Sequence, residues 1–422
     1  MYVLEVHELT KRVGKTTLID TVRLSVQPGE LLALLGPPES GKTLLLRVLT
    51  GLEDANVGRI LLNGEDITDT PATKRNISMV FQNGYGLIPH ITASECISLP
   101  LQHMPMSKDG MDYRVATVAK TLNVSHTLER KISILSPGER LRVALARAIA
   151  KDPALYLFDE LLEQLDTPSR LVARREIAEL HQKLGFACIY ATSDPDDAFA
   201  ITNRVAVINQ GKIQQIGTRS ELIQTPATLW VAQWLGFPPM NTLTGYLQGT
   251  YQPEGICYRI WAKGFTPLLP MKWTRVIDIH QCKEIYVGIR PENIIPEWEF
   301  QARWQPTFYT LKTEVIASEW NQGRTLAQLH VPHLAEPLMA LFDVSHEKVP
   351  VGSVFSIAVD PEEFRLFHPQ TQQLLQAPSA TSGWNTPTSA PSRRPLLSFL
   401  DRRRPGPGSG PLSSPGSSGP LS

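Results

Sequence analysis

The feature that most constrains this chain is the stretch Gly36–Thr43, reading Gly-Pro-Pro-Glu-Ser-Gly-Lys-Thr. It fits G-x-x-x-x-G-K-[ST] and stands between an apolar run, Leu31–Leu35, and a helix-like run, Lys42–Leu52. A loop in that setting turns backbone N–H groups onto phosphate oxygens, and the helix N-terminus adds the positive end of a dipole. Gly36, Pro37, Pro38, Glu39, Ser40 and Gly41 would form the cradle. Lys42 would reach the β- and γ-phosphates, and the Thr43 hydroxyl would ligate Mg²⁺. The same letters also suit a glycine-containing turn before an ordinary helix, but motif and flanks agree on the phosphate loop.

A chain of 422 residues has room for two or three domains. Lys+Arg and Asp+Glu number 41 each, so no global field favours nucleic acid as a partner. Cys96, Cys188, Cys257 and Cys282 lack metal-ligand spacing and read as reduced thiols. No apolar run approaches the roughly 20 residues that span a bilayer. Met1–Thr10 lacks the basic start of a signal peptide. A membrane role is therefore expected to come through a partner.

Along the chain, strands are expected at Tyr2–Leu9, Val22–Val26, Leu31–Leu35, Arg59–Leu62 and Ile77–Phe81. A helical insertion follows at about 84–150, holding Tyr113–Leu122 and a helix, Gly138–Ala150, with Pro137 in its first turn. Strand Leu155–Phe158, helix Pro168–Leu184, strand Ala187–Ala191 and a hairpin around Asn209-Gln210-Gly211 complete an α/β unit over 1–236. Strands alternating with helices imply a mostly parallel sheet covered on both faces. Residues 240–375 show short strands and turns, the texture of a small all-β, OB-like barrel. Residues 376–422 are rich in Pro, Gly and Ser and are expected to be disordered; the basic run Arg393–Arg404 reads as a solvated tail.

Asp159-Glu160 ends an apolar strand. Beside a phosphate loop, Asp159 can hold Mg²⁺ through water and Glu160 can act as general base on the attacking water. Leu135–Ala148, beginning Leu-Ser-Pro-Gly-Glu, then resembles the signature region of ABC transporter ATPases. Met79–Gln82 resembles their Q-loop and Leu165-Asp166 the end of their D-loop. Pro239-Met240-Asn241, Gly288–Glu292 and Asp360-Pro361-Glu362 are similar to the accessory domain of the sugar-importer branch, the maltose and glycerol-phosphate type. The resemblance covers roughly 1–375. It implies ATP and Mg²⁺ as cofactors and a head-to-tail pair with a second ABC ATPase subunit, in a homo- or heterodimer. Ser136, Gly138 and Glu139 would act on the ATP held by the partner, with Asp166 in the D-loop. Gln82 would link the metal and water to the helical insertion, which grips transmembrane permease subunits. A solute-binding protein and a peripheral position on the cytoplasmic face of the membrane are likewise implied.

The sequence departs from the family pattern at five places. Val13 stands where an aromatic usually stacks on adenine. Glu39 replaces a loop glycine. Pro137 and Glu139 replace Gly and Gln of the signature, and the Q-loop is one residue longer at Asn83-Gly84-Tyr85. Ser193 stands where the switch region has the histidine that contacts the γ-phosphate. Serine reaches less far and carries no charge. The expectation is an ATPase subunit of a sugar or sugar-like importer with slow turnover. The alternative is a degenerate, non-hydrolysing subunit with a regulatory or structural role. A soluble ABC protein of translation or repair would need a second phosphate loop or a long coiled coil, and neither is present.

Overall fold

The computed structural model describes residues 1–82, 84–252, 255–300, 305–321, 323–344 and 349–376. Asn83 and the tail, with its basic run, lie outside them.

Two sheets share the N-terminal half. β1 (Leu4–Val13), β2 (Thr16–Val26), β4 (Val57–Leu62) and β5 (Glu65–Asp66) form an antiparallel sheet in the order β2-β1-β4-β5. The second sheet contains β3 (Leu31–Leu35), β6 (Ile77–Val80), β7 (Leu155–Asp159), β8 (Cys188–Thr192), β9 (Arg204–Asn209) and β10 (Lys212–Gly217), in the order β10-β9-β3-β8-β7-β6. All its neighbours run parallel except the β9–β10 edge hairpin. Every residue of β3, β7 and β8 is buried. This is why those strands read as continuous apolar runs rather than alternations. The expected parallel sheet is present, but the N-terminal strands stay out of it. The Gly14-Lys15 turn folds β1 onto β2 at once, and their apolar residues pack with α1 (Lys42–Thr50) against one face of the parallel sheet, where Leu32, Leu34, Leu157 and Ile189 lie.

The helical insertion carries α2 (Ala93–Ser98), α3 (Lys108–Thr121) and α4 (Pro137–Ala150). They bury Ile97, Val118, Leu141 and Val143 together with Phe158 and Tyr190 of the sheet. α5 (Thr167–Leu184) and α6 (Pro195–Ile201) flank β8, and α7 (Arg219–Gln224) and α8 (Leu229–Trp234) lead out. Among the described residues no helix is long and apolar enough to cross a membrane.

The C-terminal part has two antiparallel sheets over one core. β11 (Asn241–Gln252), β12 (Gly255–Trp261), β13 (Glu284–Ile289) and β19 (Arg365–Phe367) form one, in the order β12-β11-β13-β19. β14 (Ile294–Pro296), β15 (Tyr309–Asn321), β16 (Arg324–His330), β17 (Leu338–Phe342) and β18 (Val354–Val359) curl into a nearly closed, barrel-like sheet. Asn241 stitches the two together: its side-chain amide donates to Ile289 O (3.2 Å) and Met339 O (2.8 Å) and accepts from Met339 N (2.7 Å). α9 (Lys272–His280) is an addition the sequence pattern did not announce. Its apolar face is only Trp273, Val276 and Ile277, too short a period to stand out.

Arg290 ties this part to the first. It is buried, and its guanidinium donates to Leu235 O (2.8 Å), Ala232 O (3.3 Å) and Ile223 O (2.7 Å), satisfying carbonyls at the ends of α7 and α8.

Candidate nucleotide site

β3, β8, β7 and β6 are parallel neighbours, so their C-terminal ends open on one edge of the sheet. Open α/β sheets take ligands at that edge. The phosphate loop follows β3, Ser193 follows β8, Asp159 ends β7 and Gln82 lies just past β6.

The loop is tightly built. Gly36 N donates to Thr192 O at 3.3 Å, and a Cβ on Gly36 would lie 2.2 Å from Ile208 O, so only glycine lets the chain pass. Ser40 O accepts from Gly211 N at 2.8 Å. The Ser40 hydroxyl oxygen is buried with no hydrogen-bond partner among the described residues. An unmet buried hydroxyl costs about 1–3 kcal/mol; with the glycine cradle around it, it fits a bound anion. Glu39 is exposed with φ 63°, so its charge stands at the loop's outer rim. Pro37 and Pro38 set the loop's outward arc; the Pro37 carbonyl accepts from Ser40 N (3.2 Å). Val13 ends β1 and is 58% exposed.

Lys42 is buried at the start of α1. Its ammonium donates to Gly36 O (2.7 Å) and Pro37 O (2.9 Å) and lies 3.2 Å from Glu160 Oε1. Thr43 Oγ1 donates to Asp159 Oδ1 at 3.1 Å. Burial pushes the Asp159 carboxyl up from 3.8 to about 6, against the lowering pull of the Thr43 hydrogen bond. Glu160 and Glu163 push the same way and Lys42 opposes them. The Thr43 hydroxyl and the Asp159 carboxylate, side by side, are oxygen ligands of the kind a hard divalent cation takes. Glu160 takes φ 47°, and its N–H donates to Ala191 O (3.0 Å), which pins its backbone to β8.

Ser193 is half-buried in the bend before α6. Its turn is rigid. Asp194 Oδ1 accepts from Asp196 N (2.7 Å) and Asp197 N (3.4 Å), and Asp194 pairs with Arg170 at 2.8 Å. The buried Asp197 is gripped by Arg170 and Arg174 of α5, each at 2.5 Å. Sequence reasoning did not find this network, because its members meet only once α5 packs on α6.

The signature residues divide. Ser136 caps α4: its hydroxyl accepts from Glu139 N (3.3 Å), and Glu139 Oε2 accepts from Ser136 N (2.8 Å). Glu139 also pairs with Arg130 (3.1 Å) and His126 (3.4 Å). Within its own chain the Glu139 carboxylate is half of a capping box. Pro137 sits at the first helical position, where an N–H has no intrahelical partner to lose. A Cβ on Gly138 would meet nothing within 4 Å. Asp166 caps α5 without a side-chain hydrogen bond and is exposed. Gln82 is held by a carboxylate the sequence reading passed over: its amide donates to Glu163, and Gln164 Nε2 donates to Gln82 O at 2.7 Å.

Comparison with known proteins agrees with this geometry. The family model described as ABC transporter matches residues 19–163. The sn-glycerol-3-phosphate import ATP-binding protein UgpC of Yersinia enterocolitica is 34% identical over 377 residues, covering 87% of this chain and 97% of that protein. The chain belongs to the ABC transporter ATP-binding protein family. UgpC 1 of Rhizobium johnstonii is 32% identical, covering 89% of this chain and 96% of that one. The uncharacterized ABC transporter ATP-binding protein YurJ of Bacillus subtilis is 36% identical, covering 83% and 94%. The family model spans β2 to the residues just past β7, and the alignments with these relatives cover 83–89% of the chain.

Proposed function

We propose that the chain is the ATP-hydrolysing subunit of an importer for a sugar or sugar phosphate, acting with separate permease subunits at the cytoplasmic face of a membrane. The observation that carries the reading is the Thr43–Asp159 contact beneath a phosphate loop, in a chain that aligns along nearly the full length of import ATP-binding proteins. The full-length alignment gives no support to a degenerate, non-hydrolysing subunit.

In this reading the backbone N–H groups of Glu39, Gly41, Lys42 and Thr43 and the Ser40 hydroxyl bind the phosphates, Pro37 and Pro38 having no N–H to give, and Lys42 leaves its two carbonyl acceptors to meet the β- and γ-phosphates. That move releases Glu160, which takes a proton from the attacking water. Thr43, Asp159 and Gln82 would hold Mg²⁺, which supplies charge neutralisation at the β- and γ-oxygens. Asp159, buried and already crowded by Glu160 and Glu163, gains most from such a cation. Ser193 would donate one hydrogen bond near the γ-phosphate. Ser136 and the Gly138 N–H face a second subunit's ATP, with Asp166 at the same boundary, and Val13 offers the adenine a small apolar surface. A solute-binding protein would deliver the cargo.

Calorimetric titration with ATP and Mg²⁺ tests the reading. Uptake by the parent and its loss in Lys42→Ala is the expected pair of results. Absence of uptake by the parent, or unchanged uptake by the variant, overturns it.

A further inference from the structure

The loop after β7 does more than end in the cap of α5. Three hydrogen bonds tie it to the loop after β6. The Gln82 side chain donates to the Glu163 carboxylate, Gln164 Nε2 donates to Gln82 O (2.7 Å), and the Tyr85 hydroxyl donates to Leu161 O (3.3 Å). From the other side Arg147 of α4 donates to Gly86 O (2.6 Å) and Tyr85 O (3.0 Å). Gln82 is thus held at both its main chain and its side chain by residues that follow the Asp159-Glu160 pair. β6 and β7 run in parallel register with Val80 beside Phe158, so two more residues bring Gln82 level with Glu160.

The chemistry of the contact fixes an orientation. An ionised carboxylate only accepts, so the NH₂ end of the Gln82 amide must face Glu163, and Oε1 must point away from it. An amide without such a partner presents nitrogen or oxygen with little preference, and nitrogen is useless to a cation. We propose that Glu163 is a positioning residue for hydrolysis: it holds the Gln82 carboxamide with its oxygen toward the corner formed by Thr43 and Asp159. This rests on the reading of that corner as the magnesium–nucleotide site. It adds that the loop 161–166 controls whether Gln82 is correctly turned. Displacement of that loop releases Gln82, so its position is read directly at the reacting end of the site.

The test compares the full-length parent with Glu163→Ala and Glu163→Gln. Glu163 is exposed, so folding is expected to survive, with melting temperature as control. ATP binding is titrated in the presence of Mg²⁺ and in EDTA, and kcat and KM are measured separately. Glu163→Ala is expected to lower kcat by roughly three- to tenfold and to cut magnesium's contribution to ATP affinity by a similar factor, the worth of one surface charge-assisted hydrogen bond. ATP affinity in EDTA stays at the parent value. Glu163→Gln can donate as well as accept, so it no longer fixes the orientation of the Gln82 amide and recovers only part of the loss. The proposal is overturned if Glu163→Ala leaves kcat and the magnesium contribution within about twofold of the parent. It is equally overturned if Glu163→Gln keeps the parent kcat and magnesium contribution in full, since a side chain that fixes no orientation would then serve as well as the carboxylate. A parent that binds ATP and Mg²⁺ normally while the variants behave like it sinks this inference alone. A parent that binds neither sinks the site reading beneath it as well.

Discussion

Lys42 Nζ lies 3.2 Å from Glu160 Oε1, and both side chains are largely buried. The residue proposed to grip the phosphates therefore neutralises the residue proposed to activate water. Exchange of the Lys42 ammonium from Glu160 to a phosphate would make the base available only when nucleotide is in place. Glu160→Gln removes the charge and keeps the shape. It is expected to retain ATP binding and lose hydrolysis by a factor on the order of 10²–10⁴. A variant that hydrolyses ATP at the parent rate would move the base elsewhere.

The pH dependence of stability follows from Asp159. Its folded-state carboxyl, raised by burial to about 6 from 3.8, holds a proton in the native protein that the unfolded chain has already lost. Stability from this group is therefore full below about pH 4, falls as pH rises to about 6 and is flat above. The total is about 3 kcal/mol. Asp159→Asn should melt higher than the parent at pH 8 without nucleotide, with the difference vanishing near pH 4. Melting curves of the pair across that range are the check. Equal curves at pH 8 would contradict the assignment.

Ser193 is set in a turn clamped by Asp194, Asp197, Arg170 and Arg174. Ser193→His is expected to raise ATP turnover by about tenfold or more, because a correctly placed imidazole adds reach and charge. An unchanged rate in steady-state assays would show that the switch position is not what limits the reaction.

Gly138 has open space around its missing Cβ and lies inside α4. On its own chain, Gly138→Ala should be neutral to stabilising by up to about 1 kcal/mol through helix propensity. A drop in ATPase with an unchanged or raised melting temperature would assign this glycine to close approach by a second subunit. Parallel losses of stability and activity would argue against that assignment.

Arg290 donates to three carbonyls while buried. Arg290→Ala leaves the ends of α7 and α8 unsatisfied and is expected to cost about 2–4 kcal/mol. Scanning calorimetry should then show the β-rich part separating from the first as an earlier transition. A single unshifted transition would mean that the apolar contact of Leu229 and Ala232 with Met240 and Phe367 suffices.

What the sequence determined by itself is local or periodic. The order Gly36–Thr43, Ser136–Ala148, Asp159-Glu160 is a set of contiguous letters, each dictating its own turn or cap. The short all-apolar runs 31–35 and 155–158, bounded by turn residues, read as strands buried on both faces. What tertiary structure decided is which distant groups meet. Glu163 reads in sequence as one more surface acid; it becomes the acceptor for Gln82 only because β6 and β7 lie side by side in the sheet. Glu139 meets Arg130 only once the helix start and the segment before it fold together. The separate N-terminal sheet and α9 likewise depend on which core was left to cover. Alternation marks a residue as inward but does not say inward to what, and the answer is set by long-range packing rather than by any short window of the chain.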